Sequence, residues 1–355
     1  MKVLQIIPSF GVGGAEKVVL NYLRIAKRKG LDFTAISLYP RTGSIYDEII
    51  VKENLNVIYL NKRLGMDFGV VKELKKTIKS LKPDVVHTHL YVSKYYILTG
   101  VWRKCQNFHT IHNTPSPDAN GVDYWANKFM FNIGKSIPVV LHDKLASEVE
   151  NYYRVKNARV IGNGIFLDDY KNKGDGSSLR MSLGISDDDF VIGNVGRFKY
   201  QKNHVFMLDI LKDILRQRNE VKLLLVGDGE LRAEIRDKAV ERGVLDHIIF
   251  TGDRSDIPEL LSIMDVFLFP SLFEGLGIVA IEAQVAGVRC VASDMVPKAA
   301  CVSEGMEFYS LDEPISVWSE AILSGNNGVH LNENIKNYDI EFVIEDLMDL
   351  YGKTR

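Results

Sequence analysis

The chain has 355 residues, of which 46% are hydrophobic and 25% charged, and its formal net charge is −2. This length suits two domains with their own cores, and the composition is that of an ordinary globular protein rather than a disordered or fibrous one. No stretch reaches the roughly 18 apolar residues of a membrane-spanning helix. Three cysteines without a Cys-x-x-Cys pair indicate neither a disulfide framework nor a zinc site, and reduced thiols favour the cytoplasm.

Charge is divided unevenly along the chain. Residues 1–165 hold 24 Lys or Arg and 13 Asp or Glu, whereas the remaining residues hold 20 and 33. A basic half joined to an acidic half predicts two domains with different binding partners. We expect no nucleic acid among those partners.

Strand and helix patterns alternate throughout. The opening run 2–7 is too short for a signal peptide and is expected to form the first strand. Later strands are expected at 33–38, 56–59, 85–87, 108–111, 137–141, 159–161, 191–195, 222–226, 248–250, 266–269 and 289–292. Helical patterns fall between them, and a polar, Gly- and Ser-rich stretch at 168–186 is interpreted as the interdomain segment. Repeated strand–helix units predict an α/β protein with two doubly wound, Rossmann-like parallel sheets.

A glycine-rich turn, Gly11-Val-Gly-Gly-Ala-Glu16, follows the first strand and includes Gly13 and Gly14. Such a turn can bind a dinucleotide. Here Glu16 stands where the third glycine would be, and the second strand ends without the acidic residue that binds a ribose. An NAD site is therefore rejected.

Two histidine pairs lie near the ends of strands in the first half. His87 and His89 belong to "DVVHTHL", and His109 and His112 to "FHTIHNT". We expect one member of each pair on either side of its strand, with His89 and His112 at the carboxyl edges. A metal site is the rival interpretation, but no third ligand has matching spacing.

Basic residues follow the first strand of the second half. The run "GNVGRFKYQKNH" places Gly196, Arg197 and Lys202 in one loop. Two cations there could bind a diphosphate and stabilise its charge as it leaves, although a solvated basic loop is the plainer alternative. In the next strand–turn, Gly227 allows close backbone approach beside Asp228, and Asp228 or Glu230 could simply cap the following helix.

The segment "FPSLFEGLGIVAIEAQVAG" carries most of the functional signal. Gly275, Leu276 and Gly277 lie in the turn before a helix that begins at Ile278. The N–H groups of a helix start suit a phosphate. Glu274 in the loop and Glu282 in the helix suit sugar and ribose hydroxyls, although Glu274 could instead cap the turn while Glu282 is solvated.

The Glu-x7-Glu run, with its preceding Pro-Ser and following Ala-Gly, resembles the signature of retaining family 4 glycosyltransferases (group 1) of the GT-B fold, including bacterial capsular and exopolysaccharide enzymes. The resemblance extends over nearly the whole chain. It implies two domains facing across a cleft: residues 1–167 on the acceptor side, and residues 168–334 binding the nucleotide-sugar. A final helix at about 335–355 would return to the first domain.

The resemblance also implies roles for the residues above. Arg197 and Lys202 would bind the donor phosphates, Glu282 the ribose and Glu274 the sugar. The backbone near Arg254 would meet the base, and Gly13 and Gly14 would face the cleft. His112 would contact the sugar, with His89 on the acceptor side.

The implied activity is metal-independent, retaining transfer of a hexose from a nucleotide diphosphate, UDP in the first instance, to a hydroxyl of a glycan or lipid-linked acceptor in bacterial surface polysaccharide synthesis. No cofactor is expected. Two alternatives stay open: a nucleotide-sugar 2-epimerase of the same fold, and a non-catalytic nucleotide-sugar-binding subunit.

A basic amphipathic helix is expected within 62–82, where seven Lys or Arg accompany apolar residues at helical spacing. The plain interpretation is a surface helix that packs on the sheet while its lysines are solvated. The sharper hypothesis is that the first domain docks on anionic lipid at the inner face of the plasma membrane.

Overall fold

The structure, a computed structural model, describes residues 1–115, 121–171, 174, 176–325 and 328–353. Two compact units make up the chain. The first comprises Met1–Ile165 and Lys336–Arg355, and the second comprises Phe166–Ile335. The chain therefore leaves the first unit once and returns to it.

The first unit is built on a seven-stranded sheet in which every neighbouring pair is parallel, in the order β3-β2-β1-β4-β5-β6-β7. Its strands are β1 (Lys2–Ile7), β2 (Asp32–Ser37), β3 (Val57–Tyr59), β4 (Val85–His89), β5 (Gln106–Thr110), β6 (Ile137–Val140) and β7 (Arg159–Val160). The central strands β1 and β4 are buried along almost their whole length because helices cover both faces of a doubly wound sheet.

The helices of the first unit are α1 (Gly14–Arg28), α2 (Ile45–Lys52), α3 (Phe68–Leu81), α4 (Ser93–Thr99), α5 (Gly121–Asn132) and α6 (Asp143–Tyr153), with the final helix α13 (Ile340–Lys353). Helix α13 joins this unit through its buried side chains, among them Ile344, Leu347 and Tyr351. Its Glu341 and Glu345 pair with Lys29 at the end of α1. Residues 354 and 355 of the predicted terminal helix lie outside the described residues.

The second unit has a six-stranded sheet, also parallel throughout, in the order β10-β9-β8-β11-β12-β13. Its strands are β8 (Phe190–Val195), β9 (Val221–Val226), β10 (Ile248–Gly252), β11 (Val266–Phe269), β12 (Arg289–Ser293) and β13 (Met306–Tyr309). Its helices are α7 (Ser177–Ser182), α8 (His204–Ile214), α9 (Arg232–Arg242), α10 (Ile257–Ser262), α11 (Ile278–Val285) and α12 (Ile315–Ser324).

Two features of the second unit differ from the sequence predictions. Strand β13 was not predicted, and it pairs with β12 at the edge of the sheet. The stretch 168–186, interpreted as an interdomain segment, contains part of the 3-10 helix Leu167–Tyr170 and all of α7. Both belong to the second unit, so the stretch is structured there because Tyr170 and Ile185 are buried. Residues 172, 173 and 175 of that stretch lie outside the described residues.

Candidate functional site

The predicted donor loops of the second unit meet at the point where the strand order reverses. Strands β8 and β11 are neighbours, and the chain leaves them toward β9 on one side and β12 on the other. In open parallel sheets a ligand binds outside the carboxyl ends of the strands at this point. The loop after β8 carries Arg197 and Lys202, and the loop after β11 carries Glu274 to Gly277.

An ion pair joins these two loops. Lys202 Nζ donates to Glu274 Oε1 at 2.7 Å, and the two side chains are only 15% and 8% exposed. The ammonium also lies 4.6 Å from the centre of the Phe269 ring. The loops are joined again through the backbone N–H of Leu272, which donates to Gln201 O at 2.8 Å. The structure thus brings together a cation and a carboxylate that were assigned to the donor on separate motifs.

The loop after β8 packs tightly on the loop after β9. A side chain at Gly227 would place its Cβ 2.4 Å from Gly196 O, and Gly227 also has a φ of +126°. Only glycine fits this position, because a larger residue would be strained and would clash with backbone. Arg197, in contrast, is exposed. It is therefore accessible to an anionic ligand.

Asp228 is also exposed, and its carboxylate accepts from the Gly229 N–H at 2.7 Å and pairs with Arg232 at 3.3 Å. The alternative that Asp228 or Glu230 caps the next helix is wrong. The residue at the N-cap of α9 is Leu231, and no side chain caps that helix within the described part of the chain.

The turn after β11 ends at the start of α11. Gly277 is the N-cap residue with a φ of +85°, and a Cβ there would lie 3.0 Å from the Phe269 ring. Gly275 and Leu276 are buried, and Ile278 is the first helical residue. Glu282 lies in the second turn and is only 2% exposed, so the interpretation of Glu282 as a solvated residue is wrong. A buried carboxylate must be met by polar groups, so Glu282 is not a solvated surface residue.

Arg254 lies beyond β10, and Asp256 fixes its side chain. Its Nε donates to Asp256 Oδ1 at 2.7 Å, and this bond lowers the pKa of the Asp256 carboxyl below its usual range. The guanidinium is thus engaged within its own loop.

The glycine-rich turn of the first unit forms the start of α1. Gly13 is the N-cap residue in an extended conformation, and a Cβ there would lie 2.5 Å from Glu16 Oε2. Gly14 is the first helical residue and is exposed. Here too, no side chain caps the helix among the described residues.

Three histidines of the first unit, His87, His89 and His112, form a connected cluster, whereas His109 Nδ1 lies 2.9 Å from Thr88 Oγ1. The expectation that His87 and His89 lie on opposite sides of β4 is wrong, because residues two apart in a strand share a face. Their rings stack with centroids 4.6 Å apart. His89 is fully buried and so cannot meet an acceptor directly, whereas His112 keeps part of its surface exposed. His89 Nδ1 lies 3.0 Å from His112 Nε2.

Two polar residues that the sequence analysis passed over belong to this cluster. Gln5 Oε1 lies 2.7 Å from His89 Nε2, and the Tyr351 hydroxyl lies 2.7 Å from His87 Nδ1. Gln5 is a polar residue within the otherwise apolar run Val3–Ile7 of strand β1, which was a usable signal. Nothing local marks Tyr351. His142 accepts from the Leu145 N–H and caps α6. In the part of the chain that the structure describes, no group of three His, Cys, Asp or Glu could hold a metal ion.

Burial keeps the three histidines of this cluster and His109 neutral. It lowers the pKa of His109 and His112 to about 3 and holds those of His87 and His89 well below their usual value. In the unfolded chain each would titrate near pH 6.5. The unfolded state therefore binds more protons below that pH, and stability is lost as the pH falls.

We expect the free energy of unfolding to drop by up to about 1.4 kcal/mol per pH unit for each of the four histidines below about pH 6.5. Urea unfolding followed at pH 7.5, 6.5 and 5.5 measures this dependence. Over this range most carboxylates keep their charge, so the buried histidines dominate, and they include His204 of the second unit, whose pKa burial also lowers to about 3. A midpoint that stays constant between pH 7.5 and 5.5 would contradict the assignment of neutral, buried rings.

The fold and the site at the switch point of the second sheet, where the strand order reverses, together define a two-unit α/β enzyme of the GT-B class. Two family models match successive parts of the chain: "Glycosyltransferase Family 4" over residues 12–169 and "Glycosyl transferases group 1" over residues 177–337. The chain belongs to this family of glycosyltransferases. The family resemblance and the fold class predicted from the sequence are thereby confirmed.

Individual relatives cover most of the chain. EpsF of Bacillus subtilis is 29% identical over 341 residues, which are 90% of this chain and 86% of EpsF. A UDP-Gal:alpha-D-GlcNAc-diphosphoundecaprenol alpha-1,3-galactosyltransferase of Escherichia coli is 27% identical over 82% of this chain and 78% of its own. The crystal structure of Anabaena HepE in complex with UDP and glucose has a TM-score of 0.84 at 19% identity, covering 99% of this chain and all of HepE.

Proposed function

We propose that the protein transfers a sugar from a nucleotide diphosphate, UDP in the first instance, to a hydroxyl acceptor with retention at the anomeric carbon. The observation that carries this proposal is the Lys202–Glu274 pair, which joins the β8 and β11 loops at the switch point. At this point, a cation that can stabilise the leaving diphosphate lies beside a carboxylate that can bind sugar hydroxyls.

The names of similar proteins support the donor and the acceptor class. The Escherichia coli relative uses UDP-Gal and a diphosphoundecaprenol-linked sugar, and the HepE structure holds UDP and glucose. We therefore place this protein in bacterial surface polysaccharide synthesis, with a glycan or lipid-linked acceptor and a cytoplasmic active site.

Each residue has a proposed part in the reaction. Arg197 and Lys202 bind the diphosphate, and the N–H groups of Gly275 to Ile278 assist at the start of α11. Glu282 binds the ribose and Glu274 the sugar. The remaining assignments are backbone contacts with the donor at Gly13, Gly14, Gly196, Gly227, Asp228 and Arg254, and a sugar contact at His112.

The transfer step needs no dedicated protein base. The bond between the anomeric carbon and the phosphate oxygen breaks, and the acceptor oxygen bonds to the anomeric carbon on the same face. The acceptor proton passes to an oxygen of the leaving diphosphate. Lys202 and Arg197 stabilise the charge that develops on this diphosphate, which is where such stabilisation lowers the barrier most.

Two basic side chains in place of a metal predict activity that resists chelators. A panel of UDP-, GDP- and ADP-sugars is first tested for thermal stabilisation of the protein, and donor turnover is then measured with and without EDTA. We expect a UDP-sugar to stabilise the protein most and turnover to change less than about twofold in EDTA. Loss of activity that a divalent ion restores would contradict metal independence.

The same assay separates the alternatives. An epimerised nucleotide-sugar formed without any acceptor would identify a 2-epimerase. Stabilisation by a nucleotide-sugar without hydrolysis or transfer to any hydroxyl acceptor would identify a binding subunit. Transfer of the sugar with the donor's anomeric configuration, read from the product by proton NMR, supports the proposed reaction.

We further propose that the first unit docks on anionic membrane lipid through α3. For the apolar stripe of α3, the plain interpretation of a surface helix packed on the sheet holds. Val70, Leu74 and Ile78 are buried against the sheet and cannot enter a bilayer. The exposed positions of α3 and its flank carry lysines. They are Lys72, Lys75, Lys76, Lys79 and Lys82.

Apolar side chains at the start of α3 offer a second means of attachment. Leu64 is 92% exposed, Phe68 72% and Met66 51%. The loop that carries them is held from beneath, because the buried Lys62 ammonium donates to Arg63 O at 2.7 Å and Tyr95 OH donates to Gly65 O at 3.2 Å. Lys62 is thus part of the support rather than of the solvated basic face. Within the described residues, no helix is long and apolar enough to cross a bilayer.

Vesicle co-sedimentation tests this docking. Binding should rise with anionic lipid, fall with salt, and drop at least tenfold on charge reversal at Lys72, Lys75, Lys76 and Lys79, since each contributes about 1 kcal/mol. The double variant Leu64→Ser, Phe68→Ser should weaken the part of the binding that persists at high salt, because it removes apolar side chains and no charge. Two variants are the matched controls: charge reversal at the exposed Lys144 and Lys156, and Met181→Ser in the second unit. Absence of binding to anionic vesicles at low salt would refute the proposal.

A further inference from the structure

We propose that Gln5 and His89 are positioning residues that fix the tautomer of His112. The unprotonated Nδ1 of His112 then accepts a hydrogen bond from a hydroxyl group of the substrate. The use of His112 toward a sugar hydroxyl rests on the proposed function. The arrangement of the three side chains does not, because it is a property of the first unit alone.

The argument starts at Gln5, whose side chain is fully buried. Its amide NH2 donates to the Tyr351 hydroxyl at 3.4 Å, and its Oε1 faces His89 Nε2 at 2.7 Å. An amide oxygen only accepts, so His89 Nε2 must carry the proton. His89 is neutral, so its Nδ1 is left as an acceptor.

The next step concerns His112. His89 Nδ1 lies 3.0 Å from His112 Nε2, and since that His89 nitrogen accepts, His112 Nε2 must donate. Burial keeps the pKa of His112 at about 3, so the ring holds a single proton and Nδ1 has none. Among the described residues, no protein group bonds to this Nδ1. His112 retains exposed surface, so a substrate hydroxyl can donate to it.

The final helix supports the same arrangement. The Tyr351 hydroxyl accepts from the Gln5 amide and lies 2.7 Å from His87 Nδ1. His87 Nε2 lies 2.7 Å from Thr110 Oγ1. Tyr351 is fully buried on α13, which returns from the far end of the chain to complete the first unit. The returning helix therefore contributes to positioning His112 as well as to packing.

Nitrogen NMR of the full-length protein labelled with 15N-histidine tests the proposal. Long-range 15N–1H correlations distinguish the Nδ1–H and Nε2–H tautomers, and we expect the Nε2–H form for His89 and His112. Gln5→Met removes the acceptor and should give His112 a mixed tautomer. An Nδ1–H tautomer at His112 in the unaltered protein overturns the proposal whatever the enzyme transfers.

Kinetics with the active donor supply the second measurement. Gln5→Met should lower kcat by about tenfold to a hundredfold, and it should add little to the loss that His112→Ala already causes. Full additivity of the two losses would overturn the positioning role. If the Nε2–H tautomer is observed but no nucleotide-sugar reacts, the proposed function fails while the hydrogen-bond arrangement stands.

Discussion

Replacing Lys202 with alanine should lower turnover of the nucleotide-sugar by about 10²- to 10³-fold, the size of effect seen when one transition-state charge partner is removed. Lys202 is enclosed between the β8 and β11 loops, where water screens its charge poorly. Its stabilisation of the leaving diphosphate is therefore larger than that of a surface lysine. Arg197→Ala should also lower turnover, because the exposed guanidinium adds a second cation from the same loop.

Steady-state rates of donor hydrolysis and transfer measure this effect. Lys199→Ala is the matched control, since Lys199 lies in the same loop and makes no ion pair within the described part of the chain. Lys202→Ala also leaves Glu274 without its partner, so thermal unfolding must show that the variant is folded. Near-normal turnover in a folded Lys202→Ala protein would contradict the assignment of Lys202 to the donor diphosphate.

Glu282→Gln should weaken binding of UDP itself by about 10- to 100-fold, which corresponds to the loss of one hydrogen bond to a charged group. Glutamine replaces glutamate without changing the size of a side chain that is only 2% exposed, so the packing of α11 is retained. Glu274→Gln should leave UDP binding nearly intact and weaken only the additional affinity that the sugar provides.

Calorimetric titration with UDP and with the complete UDP-sugar separates these two roles. Glu230→Gln serves as the control, because Glu230 is exposed in the neighbouring β9 loop and carries no assigned contact. Equal losses of UDP affinity in the Glu274 and Glu282 variants would contradict the division between sugar and ribose.

The sequence was sufficient to predict the alternation of strands and helices and the family. Strand β11 begins and ends where it was predicted, at Val266–Phe269, because a short apolar run bounded by turn residues is a strong local signal. Strand β13 was missed because it is a four-residue edge strand, only partly buried, with no local pattern to separate it from a loop.

The contacts within the site could not be predicted, because they join residues far apart in the chain. Lys202 and Glu274 are 72 positions apart, and Gln5 and Tyr351 are 346 apart. The burial of Glu282 and of Lys62 depends on packing that helical spacing does not reveal. The error at His87 and His89 was of another kind, since two-residue spacing already places them on one face.

A crystal structure of the protein with UDP bound tests the central claim most directly. We predict diphosphate oxygens within about 3 Å of Lys202 Nζ and of the Arg197 guanidinium, at the switch point between β8 and β11. The ribose hydroxyls should meet the Glu282 carboxylate. A nucleotide bound elsewhere on the chain, or a diphosphate held by a metal ion instead of these two side chains, would contradict the account.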